Sequence, residues 1–460
     1  MITLTSSTGV TMDLSGVIDR HAVIQASAGT GKTYTLEHIV LQILLDFPDV
    51  SLRNILLVTY TEKAAGELKQ RIRKRLMDTA GGKDVSPATA ARLRIELDDF
   101  ESASISTIHA FCNRVLMEFA FENSRPLELQ QGGDSDMRSR LLNRIVRDEW
   151  PRIDPRRMNA KGTLPIASEA LGRLREVLNV AGEKRSLDGL LPEFDGDLAD
   201  AVSTAQILAW TTSALCAAVA REKMASSLVT FGDMISDVRS ALTMPGPAGR
   251  ALLERLRKRF LFGIVDEFQD TDPDQWDIFR TVFVEGGGPN RLIVVGDPKQ
   301  AIYGFRGADL RTYLSACSEI ERRGGNILSL QTNYRSSVPM IEGFNGIFRD
   351  TGWFGTDIEC PELLAPADGR PQDLLADASG RAAVVPVHIM RPGEKGKLEV
   401  DEARYRTARF IAKEISRLTG SGGIILPGRA GQGPRPLGLD DICILIQKND
   451  DFRLISRLLR

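Results

Sequence analysis

The chain has 460 residues, 42% hydrophobic and 26% charged, and its 59 lysines and arginines against 61 aspartates and glutamates leave a net charge of −2. This length divides into roughly two to four domains, and the near-neutral balance excludes nucleic-acid binding through an overall basic field, so any such binding must use local patches. Five cysteines without a CxxC pair and only four histidines argue against a disulfide framework or a zinc or iron–sulfur centre; with neither a signal-peptide pattern nor an apolar run near the roughly 20 residues of a membrane span, a cytoplasmic protein with no membrane partner is expected.

Residues 22–24 form a short apolar run, followed by Ala26, Ser27, Ala28, Gly29, Thr30, Gly31, Lys32 and Thr33 and then by an amphipathic segment. Strand, glycine-rich turn and helix in that order are the context of a phosphate-binding loop. Glycines turn backbone N–H groups toward an anion, Lys32 supplies a point charge, and the Thr33 hydroxyl can ligate Mg²⁺. Ala26 replaces the first glycine of the strict GxxxxGK[ST] pattern, and the loop alone leaves open a plain turn with an exposed lysine. Leu36, Ile39, Val40, Ile43 and Leu44 then recur at helical spacing, giving one apolar face. Residues 54–60 are β-prone and uniformly apolar, as suits a central parallel strand. The next helix has a buried stripe of Ala64, Ala65, Leu68, Ile72 and Leu76 and a basic remainder of Lys63, Lys69, Arg71, Arg73, Lys74 and Arg75. A solvated face explains Arg73, Lys74 and Arg75 as well as a binding face does. Residues 104–115 read as another strand-to-helix turn.

From about Cys112 to Ser227 the alternation gives way to a helix-rich stretch broken at Pro151, Pro155 and Pro165, read as an α-helical insertion. Strands resume at 262–266 and 291–297. Each ends in an acid, and ligands of an open α/β sheet gather at the carboxyl ends of strands, so these loops and the glycine-rich loop can share one crevice. Beyond Arg323 a second alternating series is expected: strand 326–331, helix 338–348, strand 382–390, helix 400–418 and strand 442–446, with surface loops at 361–381 and 420–439. The resulting division is a first α/β lobe in two parts (1–113 and 228–322), the insertion (114–227) and an incomplete second lobe (323–460).

Asp266 and Glu267 lie where an isolated acid is costly to bury. With a phosphate loop in the chain, the economical assignment gives Asp266 to Mg²⁺ and Glu267 to the attacking water. Their alternative use as helix caps is weaker, because Thr271 and Asp272 are better placed for it. Gln300, in the turn Gly296-Asp297-Pro298-Lys299-Gln300, can reach a γ-phosphate. Tyr303, Phe305 and Arg306 follow at a spacing that can set aromatic faces and a guanidinium on one surface for stacking bases, or that can belong to core aromatics. His109 has no neighbouring histidine or cysteine cluster, which discounts it as a base or metal ligand.

The glycine-rich loop, residues 58–65, residues 106–112, the string from Asp266, residues 296–309 and residues 333–337 (Asn-Tyr-Arg-Ser-Ser) resemble, in this order, the motifs of the UvrD/Rep group of superfamily 1 DNA helicases. Within it the RecB-type subunits of exodeoxyribonuclease V are most similar, and AddA-like subunits next. The resemblance implies a P-loop NTPase with two RecA-like lobes, ATP between them, and single-stranded DNA stepped across them with 3′-to-5′ polarity. It implies that Lys32 and Thr33 hold phosphates and Mg²⁺, that Asp266, Glu267 and Gln300 serve hydrolysis, that Arg335 reaches the γ-phosphate from the second lobe, and that Tyr334 stacks on adenine. Tyr60, Thr61, Lys63, Thr107 and His109 match positions that contact DNA. Phe231-Gly232-Asp233-Met234 resembles a short motif at re-entry to the first lobe, with Gly232 where an acid is common. Duplex DNA and RecC- and RecD-like subunits are the further partners implied. The later helicase motifs and any nuclease domain are expected beyond Arg460, so the chain is expected to be the amino-terminal portion of such a subunit.

Overall fold

A computed structural model describes residues 4–6, 11–83, 85–118, 130–152, 196, 198, 204–302, 309–349, 354, 358, 360–366, 376–377, 379, 399–426, 433–446 and 449–459. The chain forms two compact units, one of residues 1–335 and 348–364 and one of 336–347 and 365–460.

The first unit is built on an eight-stranded sheet. Its strands are β1 (Leu4–Ser6), β2 (Thr11–Met12), β3 (Ala22–Ala26), β4 (Ile55–Thr59), β5 (Ser104–Thr107), β8 (Phe262–Val265), β9 (Arg291–Gly296) and β10 (Asn326–Leu330); β6 (Gln130–Gln131) and β7 (Leu228–Val229) pair with each other apart from it. The order is β2-β1-β10-β3-β9-β8-β4-β5. The six strands from β10 to β5 run parallel, and β1 and β2 add an antiparallel edge.

Side chains alternate across the strands. Ile24, Leu57, Ile264 and Ile293 point to one face, where Leu36, Ile39 and Ile43 of the helix Lys32–Asp46 and Leu68, Ile72 and Leu76 of the helix Glu62–Ala80 cover them. Val23, Leu56, Val265 and Val294 point to the other, against the helices Ile108–Glu118, Phe231–Thr243, Pro247–Arg259 and Leu310–Arg322. Burial on both faces explains why these strands read as unbroken apolar runs. It also fixes the sheet's carboxyl edge as the open side, where the loops after β3, β8 and β9 emerge.

The strand 326–330, expected to open the second lobe, instead pairs in parallel with β3 over its full length. Pairing from Asn326–Ala22 to Leu330–Ala26 places it in the first sheet, and the break between units falls after Arg335, so Tyr334 and Arg335, expected on the second lobe, belong to the first unit. Within the insertion, the helices Ser135–Asp148 and Thr204–Ser226 pack through Met137, Leu141, Ile145, Leu215 and Val219. Lys223, buried on the second of these helices, bridges Asp134 at 2.6 Å and Asp233, on the helix Phe231–Thr243, at 2.7 Å.

In the second unit the helices Val338–Phe348 and Val400–Thr419 form as expected. The strand expected at 442–446 does not: these residues are irregular, with no ladder partner among the described residues and Leu445 92% exposed. Short strands lie instead in the stretches read as loops, β11 (Ala376–Asp377), β12 (Ile424–Leu426) and β13 (Arg435–Pro436), joined as an antiparallel sheet. The strand expected at 382–390 lies outside the described residues. Among the described residues no helix is long and apolar enough to cross a membrane.

Candidate functional site

β3 runs directly into the turn 27–31, where Gly29 (φ +81°) and Gly31 (φ +91°) take left-handed conformations that a Cβ disfavours. Thr30 tightens the turn by donating from Oγ1 to the Ser27 carbonyl at 2.7 Å. The helix Lys32–Asp46 begins with no side-chain cap, so its first-turn N–H groups are left for another acceptor.

β8 ends opposite this loop. Lys32 Nζ lies 2.7 Å from Glu267 Oε2, joining two motifs 235 residues apart. Glu267 is itself in a left-handed conformation (φ +51°), sparsely populated for a residue with a side chain and costing about 1–3 kcal/mol. The surroundings hold it there: its N–H donates to Asp266 Oδ1 at 2.9 Å, its carbonyl accepts from Asp270 N at 2.9 Å, and Gln269 Nε2 donates to its Oε2 at 2.8 Å.

Asp266 gains little else, a long 3.4 Å contact from Thr59 Oγ1. Burial, then the Glu267 charge beside it, pushes its carboxyl up to about 6 against the opposing pull of Lys32. Asp270, 7% exposed, is pushed up to about 6 for the same reasons, and its Oδ1 has no hydrogen-bond partner. This corner collects more negative charge than its donors satisfy, so Asp266 fits a divalent cation. No group of three or more His, Cys, Asp or Glu side chains forms a metal cage among the described residues. One carboxylate beside substrate phosphates is the way Mg²⁺ is usually held.

After β9, Asp297 is 2% exposed and its carboxylate accepts from Lys299 Nζ at 2.9 Å and Gln300 Nε2 at 2.7 Å. The segment after β10 closes on the glycine-rich loop. The N–H of Tyr334 donates to the Gly29 carbonyl at 2.8 Å. Asn333, 2% exposed, donates from Nδ2 to the Ala28 carbonyl at 3.1 Å and accepts at Oδ1 from Arg335 N at 2.9 Å. A Cβ on Gly29 would come 2.7 Å from both Arg335 Cβ and Asn333 Oδ1, so this approach requires glycine. The side chains of Tyr334 and Arg335 are exposed beside the loop.

Of the residues matched to DNA contacts, Tyr60 is half-buried and Thr61 and Lys63 are exposed after β4. Thr61 also caps its helix, accepting at Oγ1 from Ala64 N at 3.1 Å. Thr107 is 5% exposed; its hydroxyl donates to Glu62 Oε1 at 2.7 Å and accepts from Ala110 N. His109 stands edge-on to the exposed ring of Phe231, centroids 4.7 Å apart, and burial lowers its pKa so that it is neutral at pH 7. Arg71, Arg73 and Arg75 of the basic helix are taken up by Glu67, Glu101 and Glu37. Tyr303, Phe305 and Arg306 lie outside the described residues.

Gln269, Asp270 and Asn333 were given no role from sequence, although all three lie inside the quoted motifs. Each is a polar residue inside a motif whose other members carry the chemistry, and nothing in its spacing marks it as buried. Only the three-dimensional count of donors and acceptors singles it out.

The sequence profile of the UvrD/REP helicase N-terminal domain matches residues 14–321, more than half of the chain. The chain is similar to the RecBCD enzyme subunit RecB of Mycobacterium tuberculosis (28% identical, covering 94% of this chain and 38% of that protein). It is likewise similar to RecB of Escherichia coli K12 (27% identical; 93% and 46%) and of Haemophilus influenzae (25% identical; 72% and 40%). It thus spans less than half the length of these curated relatives. The loop, the acid pair and the order of strands that brings them together agree with that match, and the chain belongs to the UvrD/REP helicase family.

Proposed function

We propose that this chain is the ATP-hydrolysing motor portion of a RecB-like DNA helicase subunit, moving 3′ to 5′ along single-stranded DNA opened from a duplex. On this reading it works in the cytoplasm with RecC- and RecD-like subunits in double-strand break repair and recombination. The observation that carries the proposal is the 2.7 Å contact of Lys32 with Glu267, with Asn333 to Arg335 bonded onto the same loop. A lysine, a strained carboxylate and an arginine-bearing turn thus converge on one glycine-rich loop.

Lys32 and Gln269 both hold Glu267. A triphosphate in the loop competes for the Lys32 ammonium, because its anionic oxygens offer the same kind of charge-assisted bond as the Glu267 carboxylate. Glu267 is thereby released to accept a proton from water. Mg²⁺, held by Thr33 and Asp266, would neutralise charge on the phosphates. Gln300 orients toward the terminal phosphate from its Asp297 anchor. Arg335 adds positive charge there, Tyr334 stacks on the base, and residues 26–31 wrap the phosphates with backbone N–H groups. Tyr60, Thr61, Lys63, Thr107 and His109, together with Tyr303, Phe305 and Arg306, supply the DNA track, with neutral His109 suited to stacking.

The test is DNA-stimulated ATP hydrolysis by the full-length gene product. Glu267→Gln is expected to lower kcat by on the order of 10²–10⁴ while nucleotide still binds. Lys32→Ala is expected to weaken nucleotide binding itself. Nucleotide binding without any turnover in the wild-type protein would sink the motor reading in favour of a regulatory module.

A further inference from the structure

We infer that Gln269 is a positioning residue that ties the water-activating Glu267 to the turn carrying Gln300, so that the two groups meant for one phosphate are set as a unit. This rests on the hydrolysis reading above. Gln269 is 3% exposed and uses both ends of its amide. The N–H of Asp297 donates to Gln269 Oε1 at 2.9 Å. A backbone N–H can only donate, so it fixes the oxygen there and leaves Nε2 as the donor to Glu267 Oε2 at 2.8 Å.

The connection continues without a gap. Beyond Asp297 N, the Asp297 carboxylate accepts from Lys299 N at 3.1 Å and from Gln300 Nε2 at 2.7 Å. Glu267, Gln269, Asp297 and Gln300 are therefore linked across the loops of two adjacent parallel strands, β8 and β9. Gly296 makes the approach possible: a Cβ there would come 2.7 Å from Gln269 Oε1 and 3.2 Å from Phe268 N. A side chain that merely filled this space would not need an oxygen at one end and a donor at the other.

That asymmetry gives two variants different fates. Gln269→Glu keeps an acceptor for Asp297 N, loses the donor to Glu267 and sets a like charge against it. Gln269→Ala loses both bonds. In the full-length gene product, Gln269→Glu is expected to lower kcat for ATP by roughly tenfold to a hundredfold with KM changed less than about threefold. Amide hydrogen exchange at Asp297, read without nucleotide, should be unchanged in Gln269→Glu and faster in Gln269→Ala. Gln269→Ala combined with Gln300→Ala should be little worse than the more damaging single change.

Wild-type kcat in Gln269→Glu, or multiplying effects in the double variant, overturns the coupling. If Glu267→Gln keeps its turnover, the assignment of Glu267 has failed and takes the coupling with it; if Glu267→Gln is dead and Gln269→Glu is not, the coupling alone has failed. In a protein that hydrolyses no ATP, the exchange measurement still decides, because equal protection of Asp297 in wild type and Gln269→Ala rules out the bridge.

Discussion

β8 and β9 lie side by side, run parallel and each lead into an aspartate, yet Asp266 and Asp297 have opposite surroundings. Asp297 is almost fully enclosed and is satisfied by its own turn, taking donors from Lys299 and Gln300. Asp266 has one good donor, the Glu267 N–H, and burial, then the neighbouring Glu267 carboxylate, raises its pKa to about 6. One acid is finished by the fold and serves to hold Gln300. The other is left short of positive charge and fits a ligand's cation. A carboxylate's role is thus set by the donors it lacks, and its place at a strand end does not reveal it.

Paired substitutions would break this contrast most directly. Asp266→Asn should reduce ATP hydrolysis by at least about a hundredfold and raise the Mg²⁺ concentration that the remaining activity requires. Thermal stability at pH 7 without nucleotide should hold or rise, because an under-solvated charge is replaced by a neutral amide. Asp297→Asn should do the reverse, lowering stability by on the order of 3 kcal/mol as Lys299 loses its buried counter-charge. Hydrolysis would fall too, since Gln300 loses its anchor. Equal losses of stability in the two variants, by thermal unfolding of nucleotide-free protein, would show that the acids are not different in kind.

A smaller effect sharpens the contrast from outside both acids. Gly29→Ala drives a Cβ into Arg335 Cβ and Asn333 Oδ1, each at 2.7 Å, and forces a left-handed φ of +81° on alanine. Stability should fall by about 1–3 kcal/mol and nucleotide affinity with it, while Gln300 and Asp297 stay in register. If Asp297 amide exchange accelerates in this variant as well, the loop and the β9 turn are one element and the acids cannot be considered separately.

The parallel sheet was legible because burial on both faces leaves a uniform apolar signature, as in Ile55 to Val58 and Leu292 to Val295. That Lys32 meets Glu267 beside Asp266 was legible because a phosphate-binding loop and an acid pair at strand ends are expected in one crevice. β10 was located in sequence but given to the wrong lobe, since a strand's neighbours are chosen by long-range pairing that its own residues do not encode. The error over the strand expected at 442–446 has the same origin: Ile442-Cys443-Ile444-Leu445-Ile446 has β propensity, but propensity forms no ladder without a partner, and these residues pair with none among the described residues. Gln269 and Asn333 escaped because a buried amide looks, in sequence, like any surface amide. Their meaning lies in contacts to Glu267, Asp297 and Ala28.

The finest test concerns Asp270, which shares the excess negative charge of the Asp266 corner. Its folded pKa, about 6, lies above the ordinary carboxylate value of 3.8. Between those values the folded state holds a proton that the unfolded chain has lost, so stability falls as pH rises. The favourable contribution is complete below pH 3.8 and gone above about pH 6. Asp134 and Asp233, whose partners lower their pKa, act in the opposite sense and lose stability as pH falls, so the wild-type profile alone does not isolate the effect. The difference between Asp270→Asn and wild type does. Asparagine carries no charge to desolvate, so the variant should gain on wild type from pH 4 to pH 7, by about 2 kcal/mol at the upper end, and thermal unfolding at intermediate pH values should trace the rise. A flat difference would mean that Asp270 is ionised throughout, and that the corner is not short of positive charge in the way its contrast with Asp297 requires.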